Sequence, residues 1–112
     1  MISENTKEKI IKWVETEPLV KAAYVFGSRA RDDFRSDSDL DIAVELNKPP
    51  GDEELLATWV CEGDDMQIRV NEAIPEYKVD LQWLDGKNTP IIFSGVNESG
   101  YLVYKKYYSS AT

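Results

Sequence analysis

Apolar residues recur along the chain in two rhythms, one helical and one alternating. From Asn5 to Glu17, Ile10, Ile11 and Val14 fall on one side at helical spacing, while Lys7, Lys9, Lys12 and most of the glutamates fall elsewhere. This pattern predicts a short amphipathic helix. Asn5 is placed to cap it, Glu8 stands at the reciprocal capping position, and Pro18 ends it. Leu19 to Phe26 is an almost continuous apolar run bounded by Pro18 and Gly27, too short for a typical helix, and its second half reads as a central buried strand. Ser28, directly after Gly27, is a cap for a short helix through Ala30 and Arg31, followed by a polar loop from Asp32 to Ser38. Asp39 to Val44 then alternates: Leu40, Ile42 and Val44 face one way, and Asp39, Asp41 and Ala43 the other.

The second half repeats the alternation. Lys48-Pro49-Pro50-Gly51 breaks the strand, and from Asp52 onward Leu55, Leu56, Trp59 and Val60 form a helical stripe. The helix continues through Met66, Val70 and Ile74 unless Gly63-Asp64-Asp65 interrupts it, and Pro75 closes the region. Lys78 to Leu84 puts Val79, Leu81 and Trp83 on one side and Asp80 and Gln82 on the other. Asp85-Gly86-Lys87-Asn88 signals a turn, and Thr89-Pro90 a cap with proline at the first helical position. A last helix to about Asn97 is expected to bury Ile92 and Val96; Tyr101 to Tyr104 then reads as an edge strand before a polar tail. Trp13, Trp59 and Trp83 are expected as core or interface aromatics, and the tyrosines at 101, 104, 107 and 108 as packing residues at the sheet edge.

Composition narrows what this arrangement can do. A chain of 112 residues with 42% hydrophobic content has enough apolar mass for one core, so a single domain over residues 1–112 is expected. Thirteen basic against twenty-one acidic residues leave a net charge of -8, which argues against direct nucleic-acid binding through phosphate neutralisation. The lone Cys61 forms no intrachain disulfide, and no apolar run approaches the roughly 20 residues a membrane span needs. A soluble, cytoplasmic protein without a membrane partner is the expectation. The chain contains no histidine, so imidazole chemistry is excluded. Carboxylates, hydroxyls and metal remain.

Asp39, Asp41 and Asp80 supply the carboxylates. Three aspartates on the polar faces of two strands repel one another and lose hydration, a cost that a divalent cation removes. Mg²⁺ takes oxygen ligands and completes its octahedron with water and substrate phosphate; two such ions suit an in-line displacement at phosphorus. Gly27-Ser28 supplies a place for the phosphates, since glycine lets backbone approach and Ser28 opens a helix whose free N–H groups attract anions. Arg29, Arg31 and Arg35, three of the four arginines, sit in this one loop and can counter a triphosphate, with Arg29 favoured by its position beside Ser28.

Gly27-Ser28, ten intervening residues, Asp39-Leu40-Asp41 and the distal Asp80 together resemble the signature of the nucleotidyltransferase superfamily that includes DNA polymerase beta. The run GSRARDDFRSDSDLDIAV and the short length look most like its minimal nucleotidyltransferases, the antitoxin partners of HEPN-domain toxins. The resemblance covers most of the chain, and its four fixed positions at this spacing would occur by chance in roughly one chain in a thousand of this length. Asp32 stands where family members often carry glycine; aspartate tolerates the left-handed conformation wanted there but adds a negative charge near the phosphates.

The resemblance implies an α+β fold, a small mixed β-sheet with helices packed on one face, like the polymerase beta palm. It implies that Gly27 and Ser28 hold the beta and gamma phosphates, that Asp39 and Asp41 bind both Mg²⁺ ions, and that Asp80 completes the metal site near the attacking hydroxyl. The reaction implied is transfer of a nucleoside monophosphate from an NTP, ATP by preference, with a tyrosine of the HEPN toxin as a plausible acceptor. A second reading is an antitoxin that neutralises its partner by contact alone, its acidic surface covering a basic ribonuclease face. A homo-oligomer is left open.

Other readings of the same carboxylates fit less well. Asp37, Asp39 and Asp41 start like an EF-hand, but Ile42 stands where that loop needs glycine and Lys48 where it needs a bidentate glutamate. Metal-dependent glycosyltransferases also use Asp-x-Asp, in catalytic domains usually much larger than this chain. A solvated turn is the default for Asp32, Asp33 and Asp37, less so for two aspartates on a strand.

Overall fold

The computed structural model describes residues 2–27, 39–47 and 55–106. The short helix expected after Gly27 and the loop up to Ser38 lie outside them, as do residues 48–54 and 107–112. Among the described residues the order is α1 (Glu4–Thr16), β1 (Val20–Phe26), β2 (Leu40–Leu46), α2 (Leu55–Ala73), β3 (Val79–Trp83), α3 (Pro90–Ser99) and β4 (Tyr101–Lys105). The strands form one sheet in the order β3-β2-β1-β4. β1 runs antiparallel to both β2 and β4, whereas β3 is parallel to β2, so the sheet is mixed and the fold α+β. β1 is central and β4 an edge, as the sequence pattern predicts.

One face of the sheet makes the core. Val25 of β1, Leu40, Ile42 and Val44 of β2, and Leu81 and Trp83 of β3 are buried against Ile10 and Val14 of α1 and Met66 and Val70 of α2. Alternation places these side chains together because the odd and even positions of a strand point to opposite sides.

Helix details depart from the expected pattern in places. α1 starts earlier: Ser3, extended at φ -70° and ψ 160°, is the cap, its Oγ accepting from the Thr6 N–H at 3.2 Å. Asn5 is already helical and cannot serve, since a cap must stand outside the helical conformation. α2 runs through Gly63-Asp64-Asp65 without a break. Gly63 is useful there because the Trp59 ring lies across it: a Cβ would come within 3.2 Å of that ring. Trp59 in turn stacks on Trp83, centroids 6.5 Å apart and planes 25° from parallel. The stripe expected to include Leu56 and Val60 is rotated, leaving them 44% and 70% exposed while Thr58, Met66, Val70 and Ile74 are buried. Thr89 sits at the N-cap of α3, but its hydroxyl accepts from the Asp85 N–H (2.8 Å) and donates to the Trp83 carbonyl (2.8 Å), tying the turn together rather than capping the helix. Val96 is buried as expected, Ile92 only partly so. Tyr101 and Tyr104 pack partly buried against the core; Tyr107 and Tyr108 lie outside the described residues.

Two polar devices close this fold. Glu17, after the end of α1, is 4% exposed, and its carboxylate accepts from Trp13 Nε1 (3.0 Å), Arg69 Nε (2.6 Å) and an Arg69 terminal amine (2.9 Å). It fastens α1 to α2, and the hydrogen bond to Glu17 raises the Arg69 pKa further above its ordinary value. The outer edge of β3 is sealed by α2 side chains. Gln67 donates to the Val79 carbonyl (2.7 Å) and accepts from the Leu81 N–H (3.0 Å), while Asn71 accepts from the Val79 N–H (2.9 Å). A strand edge otherwise presents unpaired backbone groups to any passing chain. No helix among the described residues is long and apolar enough to cross a membrane.

Candidate active site

The opposite face of the same strands carries the predicted chemistry. β2 and β3 are aligned so that Asp41 and Asp80 are register partners, and Phe26 of β1 is the partner of Asp41 on its other side. Register partners point to the same face, so the sheet sets Phe26, Asp41 and Asp80 in one row across three strands. Tyr24, Ala43 and Gln82 form the next row. Asp39 stands immediately before β2, partly buried, on the same side by alternation.

Gly27 directly follows β1 and turns with φ +74°, a left-handed conformation that glycine adopts without steric cost. A Cβ at this position would run into Oδ2 of Asp41. Glycine is therefore required twice over, for its dihedral and because the backbone turn packs directly on the Asp41 carboxylate. Gly27 at the end of β1 and Asp41 of β2 thus meet here. Ser28 and Arg29, with Arg31 and Arg35, lie outside the described residues.

Asp80 is partly buried, and its Oδ1 accepts a hydrogen bond from Gln82 Nε2 at 2.9 Å. Sequence reading placed Gln82 on the polar face but gave it no role. Further along, the Tyr24 hydroxyl donates to Glu45 Oε1 at 2.5 Å. Burial, reinforced by the carboxylate, pushes the Tyr24 phenol up from 10.0 to about 12. Among the described residues no three His, Cys, Asp or Glu side chains, Asp39, Asp41 and Asp80 included, are grouped closely enough to hold a metal ion together. Like-charged carboxylates hold apart until a cation offsets their repulsion. The donors brought to one face, from Asp39, Asp41 and Asp80, are all oxygen, the set that Mg²⁺ takes.

The sequence model of the family described as Polymerase beta, Nucleotidyltransferase matches residues 8–108. Among curated proteins nothing matches the chain. Of solved structures, the chain is similar to a toxin-antitoxin crystallised with AMP-PNP: 24% identity over 89% of this chain and 73% of that one, TM-score 0.64. It is also similar to a variant of the toxin-antitoxin MntA-HpeT carrying two Asp-to-Glu substitutions (22% identity, 89% and 73% covered, TM-score 0.61). A protein from Sulfolobus solfataricus described as a nucleotidyltransferase follows, with 24% identity, 89% and 77% covered, and a TM-score of 0.52. At these identities the solved structures speak to the fold, whereas the family match spans nearly the whole chain. The chain belongs to the polymerase beta nucleotidyltransferase family.

Proposed function

We propose that the protein is an Mg²⁺-dependent nucleotidyltransferase that moves a nucleoside monophosphate from an NTP, ATP by preference, onto a tyrosine hydroxyl of a HEPN-domain toxin, and so acts as its antitoxin. The observation that carries the catalytic part is the meeting of the left-handed Gly27 turn with the Asp41 carboxylate, in register with Asp80. This arrangement supports the reading, since a glycine turn, the kind of backbone that lets a phosphate approach, lies against one carboxylate whose register partner is a second.

Asp39, Asp41 and Asp80 would hold Mg²⁺, which supplies charge neutralisation at the triphosphate and at the attacking oxygen. Gly27 and Ser28 hold the beta and gamma phosphates through backbone and hydroxyl, and Arg29 adds countercharge. Asp80 accepts the acceptor hydroxyl's proton. The oxygen so exposed forms a bond to the alpha phosphorus as the bond to pyrophosphate breaks, and pyrophosphate leaves with the electron pair. The antitoxin part is supported by the similar fold of proteins crystallised as toxin-antitoxins, one of them with a nucleotide analogue.

Incubation with alpha-labelled ATP, Mg²⁺ and the cognate toxin should label the toxin, and Asp39→Asn should remove the label. Equal labelling by the variant would defeat the reading. A second reading, neutralisation by contact alone, is favoured by the exposed Leu56, Val60 and Ile68 on α2, which sit among Glu62, Asp64 and Asp65. An Asp39/Asp41 double variant that still neutralises the toxin would select it.

A further inference from the structure

We infer that Gln82 is a positioning residue for Asp80, fixing that carboxylate so that one oxygen is kept for a divalent cation; the inference rests on the metal-site reading above. Gln82 lies two residues after Asp80 on β3, so both side chains emerge on the polar face, and its Nε2 donates to Asp80 Oδ1 at 2.9 Å. Its register partner on β2 is Ala43, whose small side chain leaves that row open for a long amide to lean back toward Asp80.

The chemistry of the pair suits the task. An aspartate whose register partner is another aspartate is driven to rotate away from it. A neutral amide donor restrains that rotation by occupying Oδ1. Oδ2, which takes no part in that bond, is then oriented by the one that Oδ1 makes. A lysine or arginine here would also restrain Asp80, but it would neutralise the carboxylate and compete with the cation. Glutamine orients the ligand while preserving its full charge, the arrangement by which outer hydrogen bonds tune carboxylate ligands. Two features separate Gln82 from an incidental surface amide. It is partly buried, and its bond goes to the carboxylate of Asp80 rather than to backbone.

The test uses Mn²⁺ as a spectroscopic substitute for Mg²⁺, with binding to the full chain measured by electron paramagnetic resonance. Wild type and four variants are compared: Asp80→Asn, Gln82→Met, which keeps length without a donor, Gln82→Ala and Gln82→Glu. Both Gln82→Met and Gln82→Ala should weaken Mn²⁺ binding roughly 10-fold while the far-ultraviolet circular dichroism and thermal midpoint stay near wild type. Gln82→Glu, which adds a carboxylate and removes the donor, should not restore the wild-type spectrum of the bound ion even where affinity recovers. Unchanged affinity in Gln82→Met, alongside a clear loss in Asp80→Asn, would overturn the inference about Gln82 and leave the metal site standing. Wild type indistinguishable from Asp80→Asn would overturn both.

Discussion

The two faces of the sheet use the same strands under opposite constraints. On the face toward α1 and α2, Leu40, Ile42, Val44, Leu81 and Trp83 are sealed from water, and each position is judged by how well it fills space. On the other face Asp41, Glu45, Asp80 and Gln82 are partly exposed, and two like-charged side chains are register partners. Positions one residue apart should therefore fail in different ways: the core face loses the fold, and the polar face loses chemistry while the fold persists or tightens. That separation is the usual mark of a functional site carried by a stable scaffold.

The sharpest test of the contrast is the adjacent pair Asp41 and Ile42. Asp41→Asn should lower nucleotidyl transfer roughly 10²- to 10³-fold, the scale for removing one group that meets developing charge. Its thermal midpoint should be equal to or above wild type, because the repulsion with Asp80 is relieved. Ile42→Ala, buried to 0% exposure, should cost about 2–5 kcal/mol in chemical denaturation, enough to unfold a marginal domain. A destabilised Asp41→Asn, or an undisturbed Ile42→Ala, would break the distinction between the faces.

Gly27→Ala should show both kinds of damage, since the position serves the turn and the site together. The left-handed φ of +74° costs alanine about 1 kcal/mol, and the added methyl displaces the Asp41 carboxylate, so activity should fall further than stability does. Comparing transfer rates with urea midpoints checks this. Glu17→Gln tests an anchor on the core side: with Arg69 about half exposed and Trp13 retaining an acceptor, the loss should be about 1 kcal/mol by urea denaturation.

The smallest effect concerns Tyr24. Its folded pKa is raised from 10.0 to about 12 by burial and by Glu45, so the folded state binds that proton more tightly than the unfolded state does. The associated stability is fully present below pH 10, declines above it and is gone beyond pH 12. Tyr24→Phe should flatten that part of the stability–pH curve, and an unchanged slope between wild type and variant would contradict the assignment.

Local alternation was enough to read the sheet face of Ile42 and the polar face of Asp41 and Asp80, because each depends on neighbours a few residues away; the link between Gly27 and Asp41 was legible only through the family resemblance. What escaped depends on distant partners. Glu17 beside Pro18 looks like a surface charge until Arg69 and Trp13 arrive from elsewhere. Gln67 and Asn71 look like solvated helix positions, yet they close the edge of β3. The helical stripe including Leu56 and Val60 was misplaced because Trp59 settles on Gly63 and Trp83, which rotates the apolar face. Gln82 is silent in sequence since an amide on a polar face carries no periodic signal.

The central claim is that Asp41 and Asp80, brought into register beside the Gly27 turn, form the cation-binding heart of a nucleotidyltransferase site. A crystal structure with Mg²⁺ and a non-hydrolysable ATP analogue tests it most directly. The account predicts Asp41 and Asp80 oxygens about 2.0–2.1 Å from metal and triphosphate oxygens against the Gly27 turn; a nucleotide bound elsewhere, with both carboxylates unligated, would contradict it.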